Sequence, residues 1–306
     1  MTRAQVGLIA GLAVLTGVPG ALAQDMEPRA YSSSPVGTNF VVALAGASLG
    51  EILFDPSIPL IDVNADLRLT TLGYGRTFSL GDRQALVVIA APYVWGNVEG
   101  SIQEEARSVR RSGFADVRLK TSIHLVGPGA MTVEEFRKAP RQTVMGMSLT
   151  VQAPTGEYNQ EKLINLGTNR WAFKPEVGVS VPVGRWNLDA YAGVWLFTTN
   201  SHFFPGDTTR RQDPLVSLQA HVSYSFRNRA WLAFDSTWYG GGEATLDSEP
   251  PSARQNNTRI GGTFSFPLTA RQSLKLVAAT GASTRTGSDF DSYVAGWQFT
   301  WFDRSP

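Results

Sequence analysis

The sequence predicts an all-β protein, a closed antiparallel transmembrane β-barrel of about twelve strands with short periplasmic turns and longer extracellular loops. Three observations predict it. Apolar and polar residues alternate with a period of two along most of the chain, which is the signature of strands with one apolar and one polar face. The connectors between these segments alternate between tight and long, as in outer-membrane barrels, whose strand number is even. Aromatic residues gather at segment ends, where a membrane barrel carries its interfacial girdles.

The chain opens with a segment outside that pattern. Arg3 precedes an apolar run from Val6 to Val18, Pro19 and Gly20 interrupt it, and Ala21-Leu22-Ala23 forms an A-x-A site. This reads as a secretory signal peptide over residues 1–23, cleaved near Ala23. Residues 24–37 read as an N-terminal segment, residues 38–302 as an outer-membrane barrel and residues 303–306 as a C-terminal tail. The expected location is the bacterial outer membrane.

Twelve strands are expected near residues 38–48, 62–78, 84–97, 112–126, 142–153, 171–183, 185–198, 213–227, 229–241, 255–267, 271–285 and 290–302. In the sixth, Val177, Val179 and Val181 should face hydrocarbon, with Lys174, Glu176 and Ser180 facing the lumen. Parity flips across the turn "VGR", so Asn187, Asp189 and Tyr191 become the inward set of the next strand. The second strand sets Ala65, Leu67 and Leu69 against Asp66, Arg68 and Thr70, and the same rule turns the charged set inward. The third, "QALVVIAAPYVW", is apolar on both faces and gives no clear assignment. One lower connector is longer, and its Thr132-Val-Glu-Glu135 is a capping-box pattern that predicts one or two helical turns. The girdle aromatics would be Trp171, Phe173, Trp186, Trp195, Phe197, Tyr224, Phe226, Trp231, Trp238, Trp301 and Phe302. Many outer-membrane barrels finish on an aromatic residue, whereas here Phe302 is followed by Asp303-Arg-Ser-Pro306. A soluble sandwich also alternates, but strands beyond ten residues and charges at mid-strand depth fit a wet lumen better than a packed core.

The candidate pore-lining residues are Asp66, Arg68, Asp116, Arg118, Lys120, Lys174, Glu176, Asp189, Asp235, Arg259, Lys275 and Arg285. They carry both signs, and Lys174 and Glu176 lie two apart on one face, close enough to pair. Such charges either tune selectivity or fill a small barrel with salt bridges. A narrow path closed by the lower helical connector or an inward-folded upper loop lies between the two. In the loop "SHFFPGDTTRRQDP", Phe203, Phe204, Arg210 and Arg211 offer stacking and charge to an aromatic or anionic solute, although a loop tip can equally touch lipopolysaccharide.

Other function classes find less support. A net charge of +1 gives no basic field for nucleic acid. With no cysteine and three scattered histidines, neither a disulfide nor a zinc site is expected, and no cofactor is called for. Gly46-Ala-Ser48-Leu-Gly50 matches G-x-S-x-G but lacks the strand-to-helix turn that motif needs. His221 and Ser223 share a face, hinting at a lipid-acting hydrolase, but no acid or amide partner is evident. Asp289 and Asp291 read as a solvated turn rather than a calcium site.

The block "LINLGTNRWAFKPEVGVSVPVGRWNLDAYAGVWLF", followed by "RRQDPLVSLQAHVSYSFR", "WLAFDSTWYGG", "SLKLVAATGASTRTGSDFD" and "AGWQFTW", resembles the Putative MetA-pathway of phenol degradation family. The resemblance covers most of the chain after the leader and is densest from about Leu163 to Trp301. It implies an outer-membrane transporter barrel and ties it to aromatic catabolism. The expectation is therefore a channel for passive or facilitated diffusion of small solutes, aromatic ones among them, and not an enzyme. Its expected partners are outer-membrane lipid and lipopolysaccharide, the barrel assembly machinery during biogenesis, and the solute. The alternatives are a non-conducting structural barrel and the hydrolase.

Overall fold

The computed structural model describes residues 26–53, 61–102, 105–162, 164–204, 206–247, 251–252, 254–284 and 287–303. The expected signal peptide, residues 1–23, and Arg285 lie outside them. The period-two segments become β1 (Thr38–Leu53), β2 (Ile61–Leu80), β3 (Arg83–Ile102), β4 (Glu105–Phe114), β5 (Arg118–Val126), β6 (Val144–Gln152), β7 (Ala172–Val183) and β8 (Trp186–Phe197). After a small outer hairpin, β9 (Asn200–Phe203) and β10 (Thr208–Gln212), come β11 (Leu215–Ser225), β12 (Trp231–Gly241), β13 (Ala244–Leu246), β14 (Gln255–Pro267), β15 (Gln272–Ser283) and β16 (Gly287–Phe302).

Every neighbouring pair is antiparallel, and β1 closes on β16 from Thr38↔Phe302 to Leu53↔Gly287. The β2–β3 pairing completes the ring. Closure pairs the wall strands on both sides, which lipid cannot do, while β4 is paired with β3 alone among the described residues. The wall has twelve positions because β4 and β5 share one, pairing with the upper and lower parts of β3. Where a single strand 112–126 was expected, the chain breaks at Ala115–Val117 and turns the Asp116 side chain into the barrel, 2% exposed. Strands β1 to β3 are longer than the expected 38–48, 62–78 and 84–97. Strands β9, β10 and β13 form a separate three-stranded sheet over the long-loop end.

Two of the tight turns need a left-handed residue, and glycine supplies it: Gly81 has φ 62° and Gly184 φ 58°. In the longer lower connector, α1 (Val133–Lys138) begins with the expected capping box. The Glu135 carboxylate accepts from the Thr132 N–H at 2.8 Å and hydroxyl at 2.9 Å, and these bonds hold its pKa below the usual value. A lowered folded pKa means the cap is complete above the ordinary carboxylate pKa and is lost as pH falls through the lowered one. We expect Glu135→Ala to speed amide exchange across residues 133–136 at neutral pH and to approach wild type in acid, where the wild-type carboxylate is protonated; equal exchange at neutral pH would contradict this cap.

The outer face is apolar, with Leu72, Val177, Leu188, Leu232 and Phe234 among its exposed side chains. Trp171, Trp186, Tyr93 and Trp297 stand on it as girdle residues. Trp195 and Trp231 do not: they are 1% and 4% exposed and point into the barrel, and Phe197 packs against the interior cluster of Trp195, which corrects the assignment of all three to the girdle.

Candidate functional site

The barrel interior is two-sided. From β5 through β14 the inward set is mostly polar, interrupted by aromatics such as Trp195 and Trp231: Arg118 and Lys120, Ser148 and Thr150, Lys174 and Glu176, Asn187 and Asp189, Gln219 and His221, Asp235, and Arg259 are all buried. From β15 round to β3 the inward set is mostly apolar. Phe40, Val42 and Leu44 of β1, Val88 and Ala90 of β3, and Val294 of β16 form one cluster, with Leu86 and Val277 against it. Toward the long-loop end it continues as Ala65, Leu67 and Leu69 of β2, Val94 and Val98 of β3, Ala115, Phe290 and Leu166.

Asp66 and Arg68 are therefore corrected. They point outward, with side chains 48% and 61% exposed, and meet each other at 3.6 Å. Parity identifies two faces but not which one faces in. In upper β2 the apolar face turns inward, because loop 153–171 folds across the mouth and covers it through Leu166. Lower on the same strand Leu72 faces out at 69% exposure.

Asp116 anchors that loop. Its carboxylate accepts from the Gly156 N–H at 2.9 Å, the Thr168 N–H at 3.0 Å, the Thr168 hydroxyl at 2.6 Å and Gln152 Nε2 at 3.0 Å. It organises the inward fold of the loop; it does not stand free in a passage. Gly156 and Gly167 touch backbone to backbone, and a Cβ on Gly156 would come within 2.7 Å of the Gly167 Cα.

The polar wall does not face water. Residues 26–37 rise into the lumen from the short-turn end, where the Val36 N–H donates to the Met131 carbonyl at 2.8 Å. Glu27 pairs with Lys120. Arg29 Nε donates to the Ser223 hydroxyl at 2.8 Å, Nη2 to the Ser225 hydroxyl at 2.8 Å, and its N–H to Asp189 at 3.3 Å. Arg29 adopts φ 66° to make this turn, a conformation unusual for a residue with a Cβ. Tyr31, 1% exposed, donates to Ser148 at 3.2 Å or Glu176 at 3.3 Å. Its ring sits over Gly146 and Gly178, which are register partners. The two glycines leave a socket in the wall: a Cβ on Gly178 would lie 2.3 Å from the Tyr31 ring and 2.5 Å from Tyr191. We expect Gly178→Leu to expel Tyr31 and expose the chain after Arg29 to trypsin, a site the wild type buries; continued resistance in the folded variant would contradict the socket.

The remaining charges are held locally. Lys174 meets Glu176 at 2.9 Å, and Gln219 donates to Glu176 at 3.2 Å. Asp189 accepts from Ser180 at 2.5 Å and Asn187 at 2.8 Å. Arg259 donates to the Phe290 carbonyl at 2.8 Å. Lys275 and Arg29 both lie over the Trp231 ring, at 5.4 and 4.6 Å.

His221 has the acid partner that sequence reasoning missed: Asp235 at 2.7 Å, which also accepts from Thr263 at 2.6 Å. Ser223 is nevertheless bonded to Arg29, and His221 Nε2 has no partner among the described residues. The histidine-to-serine link of a triad is not formed. Gly46–Gly50 lies wholly within β1, paired on both sides, so no nucleophile elbow exists there. Asp289 and Asp291 are exposed at the rim.

Of the loop set, Arg210 stacks over Phe203 at 5.5 Å, while Phe204 and Arg211 are exposed. Burial lowers the Arg210 pKa. Behind this pair lies Arg170, whose pKa is pushed well down by burial and by Arg210, with Asp116 opposing. Trp195, Trp231 and Arg170 were missed as interior residues. Extending the parity of Asn187 and Asp189 reaches Trp195, and that of Asp235 reaches Trp231, so a signal existed for both.

The chain is similar in structure to the COG4313 outer membrane channel from Pseudomonas putida F1, with a TM-score of 0.75 and 19% identity over 90% of this chain and 99% of that one. It is also similar to the transport unit of the autotransporter AIDA-I from Escherichia coli, with a TM-score of 0.53 and 11% identity over 92% of this chain and 95% of that one. No curated protein matches it in sequence. These likenesses show an outer-membrane barrel fold. The family model for the Putative MetA-pathway of phenol degradation matches residues 39–302, the whole barrel, and the chain belongs to that family.

Proposed function

We propose that this protein is an outer-membrane channel for small solutes, aromatic ones among them, held closed by its N-terminal segment. The observation that carries the reading is the two-sided interior: an apolar wall from β15 to β3 facing a charged wall from β5 to β14. A small aromatic solute has an apolar ring and a polar substituent. A wholly polar lumen would leave the ring without apolar contact, and a wholly apolar one would strip the substituent of its hydrogen bonds. Twelve strands lie between the eight that side chains fill and the sixteen that leave an aqueous channel, so one ordered segment is enough to close or open the path. The similar Pseudomonas protein is called a channel, and the family name refers to phenol degradation; both agree with this reading.

Export and cleavage near Ala23, insertion by the barrel assembly machinery, and contact with lipopolysaccharide belong to the same proposal. The packed interior also favours a second reading, a barrel that does not conduct. Single-channel recording of the refolded protein after the leader is removed separates them. Discrete steps that phenol shortens support the channel. Silence from a folded, heat-modifiable barrel supports the non-conducting reading.

A further inference from the structure

Two buried hydrogen-bond donors near the outer mouth lack an acceptor among the described residues: Trp195 Nε1 and Arg170 Nη1. A buried donor without a partner is uncommon in a folded chain and calls for an explanation. The two sit in one aromatic and cationic cluster. The Trp195 and Phe197 rings lie side by side, centroids 6.4 Å apart and 12° from parallel. The Arg170 guanidinium covers Phe197 at 4.4 Å, and Arg118 and Lys174 approach the Trp195 ring at 5.8 and 5.6 Å. Arg170 is fixed from its other side, where Nη2 donates to Gln212. Arg210 is close enough to repel it. Like charges brought together beside unsatisfied donors make a site that an anion with acceptor oxygens would complete. The rings beneath them are already covered: Trp195 is 1% exposed and Phe197 lies under Arg170.

We infer that this cluster is a selectivity site for carboxylates, the acid group accepting from Arg170 Nη1 and Trp195 Nε1. The inference rests on the channel reading above and names the class of solute that the outer mouth would select. Phenols, uncharged at neutral pH, would pass without engaging Arg170.

The test is equilibrium binding of benzoate and of its uncharged isostere benzamide to the purified full barrel, alongside single-channel recording of the same preparations. The wild type should bind benzoate at least tenfold more tightly than benzamide, with a preference that weakens as salt rises. R170Q should abolish the preference. R170K should restore part of it, and W195F, which keeps an aromatic ring but removes the donor, should lower benzoate affinity more than benzamide affinity. Equal binding of both compounds by the wild type, or a preference that survives R170Q in a folded barrel, would overturn the inference. Conductance steps still modulated by phenol would then leave the channel reading standing, whereas their absence would remove both.

Discussion

Deleting residues 24–36 is expected to raise single-channel conductance by a factor of several and to leave a folded barrel. The segment contributes no strand to the wall, because β1 begins at Thr38. What it contributes is bulk and charge within the lumen: Glu27 on Lys120, Arg29 on Ser223 and Ser225, and Tyr31 in the socket of Gly146 and Gly178. Its loss would return Lys120, Asp189 and Glu176 to water at the polar wall. Ion selectivity should change with it, because the charge of Lys120 is no longer matched by Glu27. Planar-bilayer recording of the deleted and intact chains, both checked for heat-modifiable migration, provides the comparison. Equal conductance would mean that the segment does not close the path.

The second large effect is expected at Asp116. Replacing it with alanine removes four hydrogen bonds to one carboxylate and leaves the Gly156 and Thr168 amides without their acceptor. Hydrogen bonds to a charged group contribute about 1.5–3 kcal/mol each before relaxation. Contributions within one network do not add, so a net loss on the order of 3 kcal/mol or more is expected. Exchange of the Gly156 and Thr168 amides should rise sharply, and Leu166 should leave the apolar layer it shares with Leu67, Val94 and Phe290. Asp116→Asn, which keeps one acceptor oxygen, should fall between. A variant whose loop amides exchange as slowly as the wild type would show that the loop is held by something other than Asp116.

The fold was largely legible in the sequence, and the interior only in part. Where one face is plainly apolar and the other plainly polar, as in β7 and β8, alternation assigned every residue from Lys174 to Tyr191 to its side. It failed in β2 because the rule assumes that the apolar face meets lipid. Leu67 and Leu69 instead meet Leu166 of an inward loop, and Asp66 and Arg68 face outward. That loop is fixed by Asp116, whose partners lie between 36 and 52 residues away in sequence, so no local pattern announces it. The N-terminal segment was hidden for a related reason. "MEPRAYSSSPVG" has no period, and its ion pair with Lys120 spans 93 residues. Glycines 146 and 178 looked like ordinary small residues on a polar face; only barrel closure places a tyrosine over both.

On the closed-channel reading, the N-terminal segment must leave the polar wall for solute to pass. The chain has no cysteine, so a pair introduced as Glu27→Cys and Lys120→Cys can be joined by a short reducible bis-thiol linker without side reactions. Single-channel conductance before and after reduction then tests the claim directly. The account predicts a barrel that stays closed while linked and opens when the linker is cut. A linked barrel that conducts as well as the reduced one would contradict it.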